Sequence, residues 1–416
     1  AADRWACAAM DGASMKPVVV IPTYWEANQD GVCTPGGYDH ATDIYSTTPD
    51  LDRCLRSLEQ VRKLPRVVIL VVCPAAATAR VRRRVEEIAA AHPSIDALVV
   101  TNAEASHIAD RVAELAPNVI GEPISLRGYG AIRNMGLAVA AIFGHDTVVF
   151  LDDDEMVLGP DFMDKALYAL GQQNRQGVPI LAKSGYFYDR AGSPMADATQ
   201  AGPTTRWWTK RLEFNSWMKR ALAGTRISRS NYVCGGCLSL HARAYMHVAF
   251  DPWITRGEDL DYLFNMRLWG FEMWFDNQWV VRHLPPVITQ RAPRFMQDVY
   301  RWYYERAKIA YANRQHDLNP VTPESLMPYP GPWISRQLDD RVRKTAAARA
   351  MLTPEKFTYL KILKDGIREA ESYARANASN YVRLQSFWPA IMNGLWNDID
   401  MQAMLLQHEE ENDGRQ

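Results

Sequence analysis

Four acids stand in a row directly after an apolar run: Val148, Val149, Phe150 and Leu151 lead into Asp152, Asp153, Asp154 and Glu155. Like charges this close repel and raise one another's pKa unless a cation neutralises them. Hard divalent cations prefer carboxylate oxygen, and Mg²⁺ or Mn²⁺ commonly joins protein carboxylates to phosphates. Residues two apart at a strand end point the same way, so Asp152 and Asp154 can face one ion while Asp153 turns aside. The plain alternative is a solvated acidic turn, but the carboxyl end of a strand is where open α/β sheets build sites. A second acidic stretch, Gly257-Glu258-Asp259, opens a helix striped by Leu260, Leu263, Phe264 and Leu268. Acids in a first helical turn also suit the macrodipole. The chemical reading is a general base that takes a proton from a hydroxyl, with Asp259 the first choice and Glu258 the second. Further on, two short strand-like runs at 273–275 and 279–281 lead into Arg282-His283. An imidazole there suits a third metal position beside the acids.

These side chains need a scaffold, and the apolar pattern supplies one. Residues 18–21 read as a buried strand ended by Pro22, and strands are also expected at 67–72, 97–100 and 147–151. Helices are expected at 51–61, 78–91 and 131–143. Strands alternating with helices imply right-handed crossovers and a mostly parallel sheet flanked by helices, an α/β fold. Residues 27–50 form a long polar loop. Residues 184–232 are mixed, without a long helix, and an amphipathic helix is expected over 258–269. Helices then dominate, at 294–313, 335–351, 354–377 and 383–407. The expected organisation is an N-terminal extension over 1–15, a first half over 16–160, a second half over 161–293 and a helical C-terminal region over 294–416.

The bulk numbers set bounds on partners. The 416 residues are 47% hydrophobic and 23% charged, enough for a sizeable core. Net charge is −1, so no global field draws the chain to nucleic acid. No run approaches a membrane span, and the start lacks the pattern of a signal peptide. Six cysteines are too sparse for a disulfide scaffold. The expected setting is cytoplasmic, with docking at a membrane surface left open. Cys234-Gly235-Gly236-Cys237 has the spacing of a zinc or redox pair but lacks further ligands nearby. The run Arg206-Trp207-Trp208-Thr209-Lys210-Arg211 mixes cations and rings, and Arg80, Arg82, Arg83 and Arg84 read as a solvated helix face.

In order and spacing the motifs resemble the GT-A fold glycosyltransferases, in particular family 2. The matching stretches are residues 20–26, 127–137, 150–154, 235–240 and 257–261, closing with His283. The resemblance implies a metal-dependent glycosyltransferase that uses Mn²⁺ or Mg²⁺ and moves a sugar from a nucleotide-diphosphate donor to an acceptor hydroxyl. It implies that Pro22, Thr23, Glu26, Arg127, Arg133, Asn134, Asp152, Asp153, Gly235 and Gly236 contact the nucleotide or donor sugar. It makes Asp152 and Asp154 the Asp-x-Asp pair, His283 the residue that completes the metal shell, and Asp259 the base, with Glu258 beside it. Inverting transfer leads; a retaining enzyme resembling mannosylglycerate synthase and a silent nucleotide-sugar-binding protein are the alternatives. Two departures stand out: Trp25 replaces the usual Asn before Glu26, and the segment 72–76 lacks the Asp that touches the base. The acceptor is unnamed, with a soluble one favoured, and homo-oligomerisation stays open.

Overall fold

The computed structural model describes residues 15–25, 43–198, 202–285 and 291–413. Glu26 and most of the loop expected over 27–50 lie outside them. Strand β1 (Pro17–Tyr24) is followed by α1 (Asp50–Leu58), β2 (Val67–Val72), α2 (Thr78–Ala90), β3 (Ala97–Val100), α3 (Asn102–Leu115), α4 (Tyr129–Ile142) and β4 (Thr147–Phe150). The Val- and Ile-rich strands are covered on both faces, and every residue of β2 is buried. In the sheet the order runs β3-β2-β1-β4, all parallel. After β3 the chain therefore returns to the far side of β1. That reversal opens a crevice at the carboxyl ends of β1 and β4, the place where such sheets hold ligands.

Strand β1 does not stop at Pro22 but pairs with β2 as far as Tyr24. Val19 donates to Arg66 and Val20 accepts from Leu151. The amide of residue 22 thus faces β4, whose pairing with β1 ends at Val20, so a proline loses no bond there. Helix α3 was not legible as a periodic run. It is started by a capping box, in which Thr101 and Glu104 bond each other's backbone. Helix α4 is buried on every side under the sheet centre.

The second half changes the sheet's character. It adds β5 (Glu155–Val157), α5 (Phe162–Leu167), β6 (Ala182–Tyr188), α6 (Lys210–Leu222), β7 (Ile227–Arg229), β8 (Leu238–His241), α7 (Ala242–Tyr245), α8 (Glu258–Leu268) and β9 (Trp274–His283). Strands β4, β8 and β6 pair antiparallel, β9 runs parallel to β6, and β5 and β7 lie antiparallel to β9. The sheet is therefore mixed rather than mostly parallel, with four pairings of each kind among the described residues. Two expectations fail here. The 184–232 stretch does contain a long helix, α6, which buries only Trp217 and Met218 and so shows little periodicity. Helix α8 is not amphipathic, since Asp261 and Asn265 are buried along with its apolar stripe.

The C-terminal helices are α9 (Arg291–Ala312), α10 (Leu338–Leu352), α11 (Lys356–Lys361), α12 (Ile367–Asn377), α13 (Asn380–Gln385), α14 (Trp388–Leu395) and α15 (Ile399–Asp413). A π-helical turn, Ile362–Gly366, joins α11 to α12. The single helix expected over 383–407 is broken, because Pro389 opens α14 and Asn397 adopts a left-handed φ of 55°. These helices fold back on the sheet layer: the Trp388 indole donates to the Tyr245 carbonyl and the Asn397 amide to that of Ala141. No helix among the described residues is long and apolar enough to cross a membrane.

Candidate active site

Strand pairing collects the acids. The chain leaves β4 at Phe150, turns through Asp152 and Asp153, and re-enters the sheet as β5, with Glu155 directly opposite His283 of β9. Asp154 is thereby set beside the histidine: its carbonyl accepts from Leu284, and its Oδ2 lies 3.2 Å from His283 Nε2. Burial opposes the charged ring, but the hydrogen bond and charge of Asp154 outweigh it and push His283 up to about 9. Phe187 stands edge-on to the ring at 4.9 Å. Burial, then the charge of Asp152, drives the Glu155 carboxyl well above the usual range. Asp153 accepts from the Thr23 hydroxyl at 2.7 Å.

Arg133 bridges the two acidic motifs. From α4 it donates to Asp152 at 2.7 Å and to Glu258 at 3.2 Å, with its guanidinium 5.1 Å from the Phe150 ring centre. Glu258 is buried, and burial outweighs Arg133 to push its carboxyl up to about 7. Asp259 is half-buried and stands on the wall of the central cavity. Gly257 starts α8 with φ +68°, and a Cβ there would lie 2.0 Å from Arg301 Nη1. Only glycine meets both demands.

The cavity encloses about 210 Å³. Its wall holds Asp152, Asp153, Asp154, Glu155, Arg133, Gly235, Gly236, Glu258, Asp259 and His283, drawn from both halves. Gly235 and Gly236 are accounted for by neighbours inside the protein: added Cβ atoms would fall 2.8 Å from Arg133 Nη2 and 1.9 Å from Glu155 Oε2. Thr23 joins this wall through its bond to Asp153. Pro22 is buried within β1, and Arg127 is exposed outside the cavity. Asn134 is not among the residues of this wall; buried in α4, it bonds the backbone of Pro123 and Phe250. Arginine and asparagine one position apart on a helix point in different directions, and a linear motif hides this.

Several cavity residues carried no sequence signal. Arg256 and Arg301 line the wall, and Arg301 donates to the Gly257 carbonyl at 3.2 Å from the C-terminal helical region. Tyr129, Phe187 and Tyr232 complete the wall with rings. The Arg80 run is not merely solvated: Arg80 lies 4.9 Å over Trp25 and Arg82 binds Glu104 at 2.6 Å. Trp208 packs between the rings of Phe295 and Trp333. Cys234 and Cys237 are free and buried, and burial pushes both thiols well up, as inert cysteines require.

Carboxylates suit Mn²⁺ or Mg²⁺, and the imidazole among them suits Mn²⁺ better than the harder Mg²⁺. The crowding of Asp152, Asp154 and Glu155 fits a divalent cation, which would relieve the charge that raises Glu155. The shell is not preformed: among the described residues no three His, Cys, Asp or Glu side chains already converge on a metal position. Asp152 is held by Arg133, and Asp154 by His283.

The acids at a strand end and a helix-borne carboxylate thus face one cavity in a mixed sheet built on a βαβ half. The sequence matches the model of the family described as glycosyltransferase like family 2 over residues 65–305, more than half of the chain, and the protein belongs to that family. No curated protein matches it. Among solved structures, the mannosyltransferase PcManGT from Pyrobaculum calidifontis, in complex with GDP-Man and Mn²⁺, is similar at 14% identity and a TM-score of 0.44, over 93% of this chain and 88% of that one. GalNAc-T7 with UDP, GalNAc and Mn²⁺ is similar at 12% identity and a TM-score of 0.42, over 83% of this chain and 59% of that one. Glucosyl-3-phosphoglycerate synthase from Mycobacterium tuberculosis, with Mn²⁺ and UDP-glucose, is similar at 12% identity and a TM-score of 0.32, over 67% of this chain and 72% of that one.

Proposed function

We propose that this glycosyltransferase is metal-dependent and transfers a sugar from a nucleotide-diphosphate donor to an acceptor hydroxyl with inversion at the anomeric carbon. The observation that carries the reading is that Asp259 shares one cavity with the strand-end acids, His283 and three arginines. Asp152, Asp154 and His283 would hold the metal, Mn²⁺ before Mg²⁺, once the Asp154–His283 pair opens. A bound divalent ion would neutralise the departing diphosphate as a Lewis acid. Arg133, Arg256 and Arg301 add fixed positive charge on the same wall. Asp259 takes the acceptor proton as the acceptor oxygen bonds to C1. The bond from C1 to the phosphate oxygen breaks, and the nucleoside diphosphate leaves with the electron pair. Attack opposite the leaving group inverts the carbon. Glu258 holds Arg133 against Asp152, which makes it a positioning residue.

The test is thermal stability with a panel of nucleoside diphosphates and their sugars, in Mn²⁺, Mg²⁺ or EDTA. A ligand that binds only the folded state at a hundred times its Kd adds about 2.7 kcal/mol. One nucleoside diphosphate should raise Tm, and EDTA should cancel the rise. A chain that answers to no nucleotide in either metal overturns the reading.

A further inference from the structure

Where α10 turns into α11, four large apolar side chains stand in solvent. Met351 and Leu352, at the end of α10, are 76% and 58% exposed, and Phe357 and Leu360 of α11 are 82% and 42% exposed. Single exposed apolar residues are ordinary, but a contiguous group marks an interaction surface. The inner side of α11 and the π turn after it is spent on Tyr359, Ile362 and Gly366, all buried. Phe357, Leu360, Lys361 and Lys364, spaced i, i+3, i+4 and i+7, therefore share the outer face. Lys356 is exposed beside them. Residues 351–364 carry three lysines against one acid, Glu355, in a chain whose net charge is −1.

We propose that this corner docks the enzyme onto an anionic lipid surface. Met351, Leu352, Phe357 and Leu360 enter the boundary between headgroups and acyl chains, and Lys356, Lys361 and Lys364 meet the lipid phosphates. Charge selects this occupant over a second copy of the chain. Two such corners would bring like charges face to face. Four side chains also fall well short of the roughly 1,200 Å² that a stable interface buries. The corner is anchored to the active site through one helix. Tyr359 packs on Phe295 of α9 at 5.7 Å, and Arg301 of the cavity wall lies six residues along, about 9 Å at helical rise.

The experiment is flotation of the full chain with vesicles of phosphatidylcholine alone or with phosphatidylglycerol added. It needs neither donor nor metal, so its outcome is separate from that of the transferase reading. The wild type should float with the anionic vesicles and be released by high salt. Phe357→Ser with Leu360→Ser, and separately Lys356→Gln with Lys361→Gln and Lys364→Gln, should each weaken binding roughly tenfold or more. Both variants should melt as the wild type does, since every changed side chain is exposed. Absence of vesicle binding, or equal binding by the variants, overturns the proposal. So does self-association in sedimentation that Phe357→Ser abolishes while vesicles go unbound.

Discussion

Asp154 and Asp259 stand on one cavity wall, and the proposed mechanism gives them separable duties. Asp154 sits 3.2 Å from His283 among the strand-end acids, whereas Asp259 comes from the first turn of α8. Asp154→Ala should abolish metal-dependent donor binding, seen as loss of the Mn²⁺-dependent Tm shift. Asp259→Asn should leave that shift intact and slow transfer by roughly 10²–10⁴-fold, the usual weight of a general base. Normal turnover in Asp259→Asn would show that the base has been misassigned. Glu258 is the second candidate, but its bond to Arg133 commits it elsewhere. Replacing it with Gln should lower donor affinity by loosening Arg133, while Asp259 still takes the proton.

At the scale of elements, a carboxylate on α9 ties three pieces together. Asp298 binds Lys210 of α6 at 3.0 Å and Arg256, just before α8, at 3.3 Å. Burial alone would raise its pKa, but Lys210, Arg256 and Arg301 outweigh it and hold the carboxyl well below its usual range. As pH falls, the unfolded chain therefore takes up this proton before the folded one does. The stabilisation is complete above the unfolded value of 3.8 and fades as pH drops toward the folded value. Asp298→Asn should cost roughly 3–5 kcal/mol at pH 7, as breaking a buried ion pair does. The gap from wild type should narrow below pH ~4. Urea melts at neutral and acid pH would read both.

The strands of the first half were legible because each is a short apolar run bounded by turns, and β2 and β3 match residues 67–72 and 97–100 as read. Helix α6 was not, because the partners that stabilise it, such as Asp298 and Trp333, lie far along the chain. Asp261 was passed over for the same reason. It looks like one more first-turn acid but is buried against Lys308, which also bonds Asp251 and Asn265.

On the scale of the whole molecule, that lysine argues against a detachable C-terminal region. Lys308 of α9 is buried among groups from the glycosyltransferase half, and α14 and α15 lie against α4. Across residue 294 the secondary structure turns helical while the buried core runs on. Deleting residues 291–416 should leave a chain without a cooperative thermal transition, because buried Asp251 and Asp261 lose their counterion. The intact protein should melt in one step. Two separate transitions in a scan of the intact chain would refute the shared core.

The sequence alone determined the parallel half of the sheet, the glycosyltransferase family and the acids at the strand end. The strands and the acids are carried by residues close together in the chain, and the family by short local motifs in a fixed order, so each is legible within its own window. The tertiary structure alone decided which acids keep company. The pairing of β5 with β9 brought Glu155 opposite His283 across more than a hundred residues, and Arg133 joined Asp152 to Glu258. It also carried Arg301 into the cavity and turned Asn134 away. Such contacts depend on long-range strand register and helix rotation, which no short window of residues encodes.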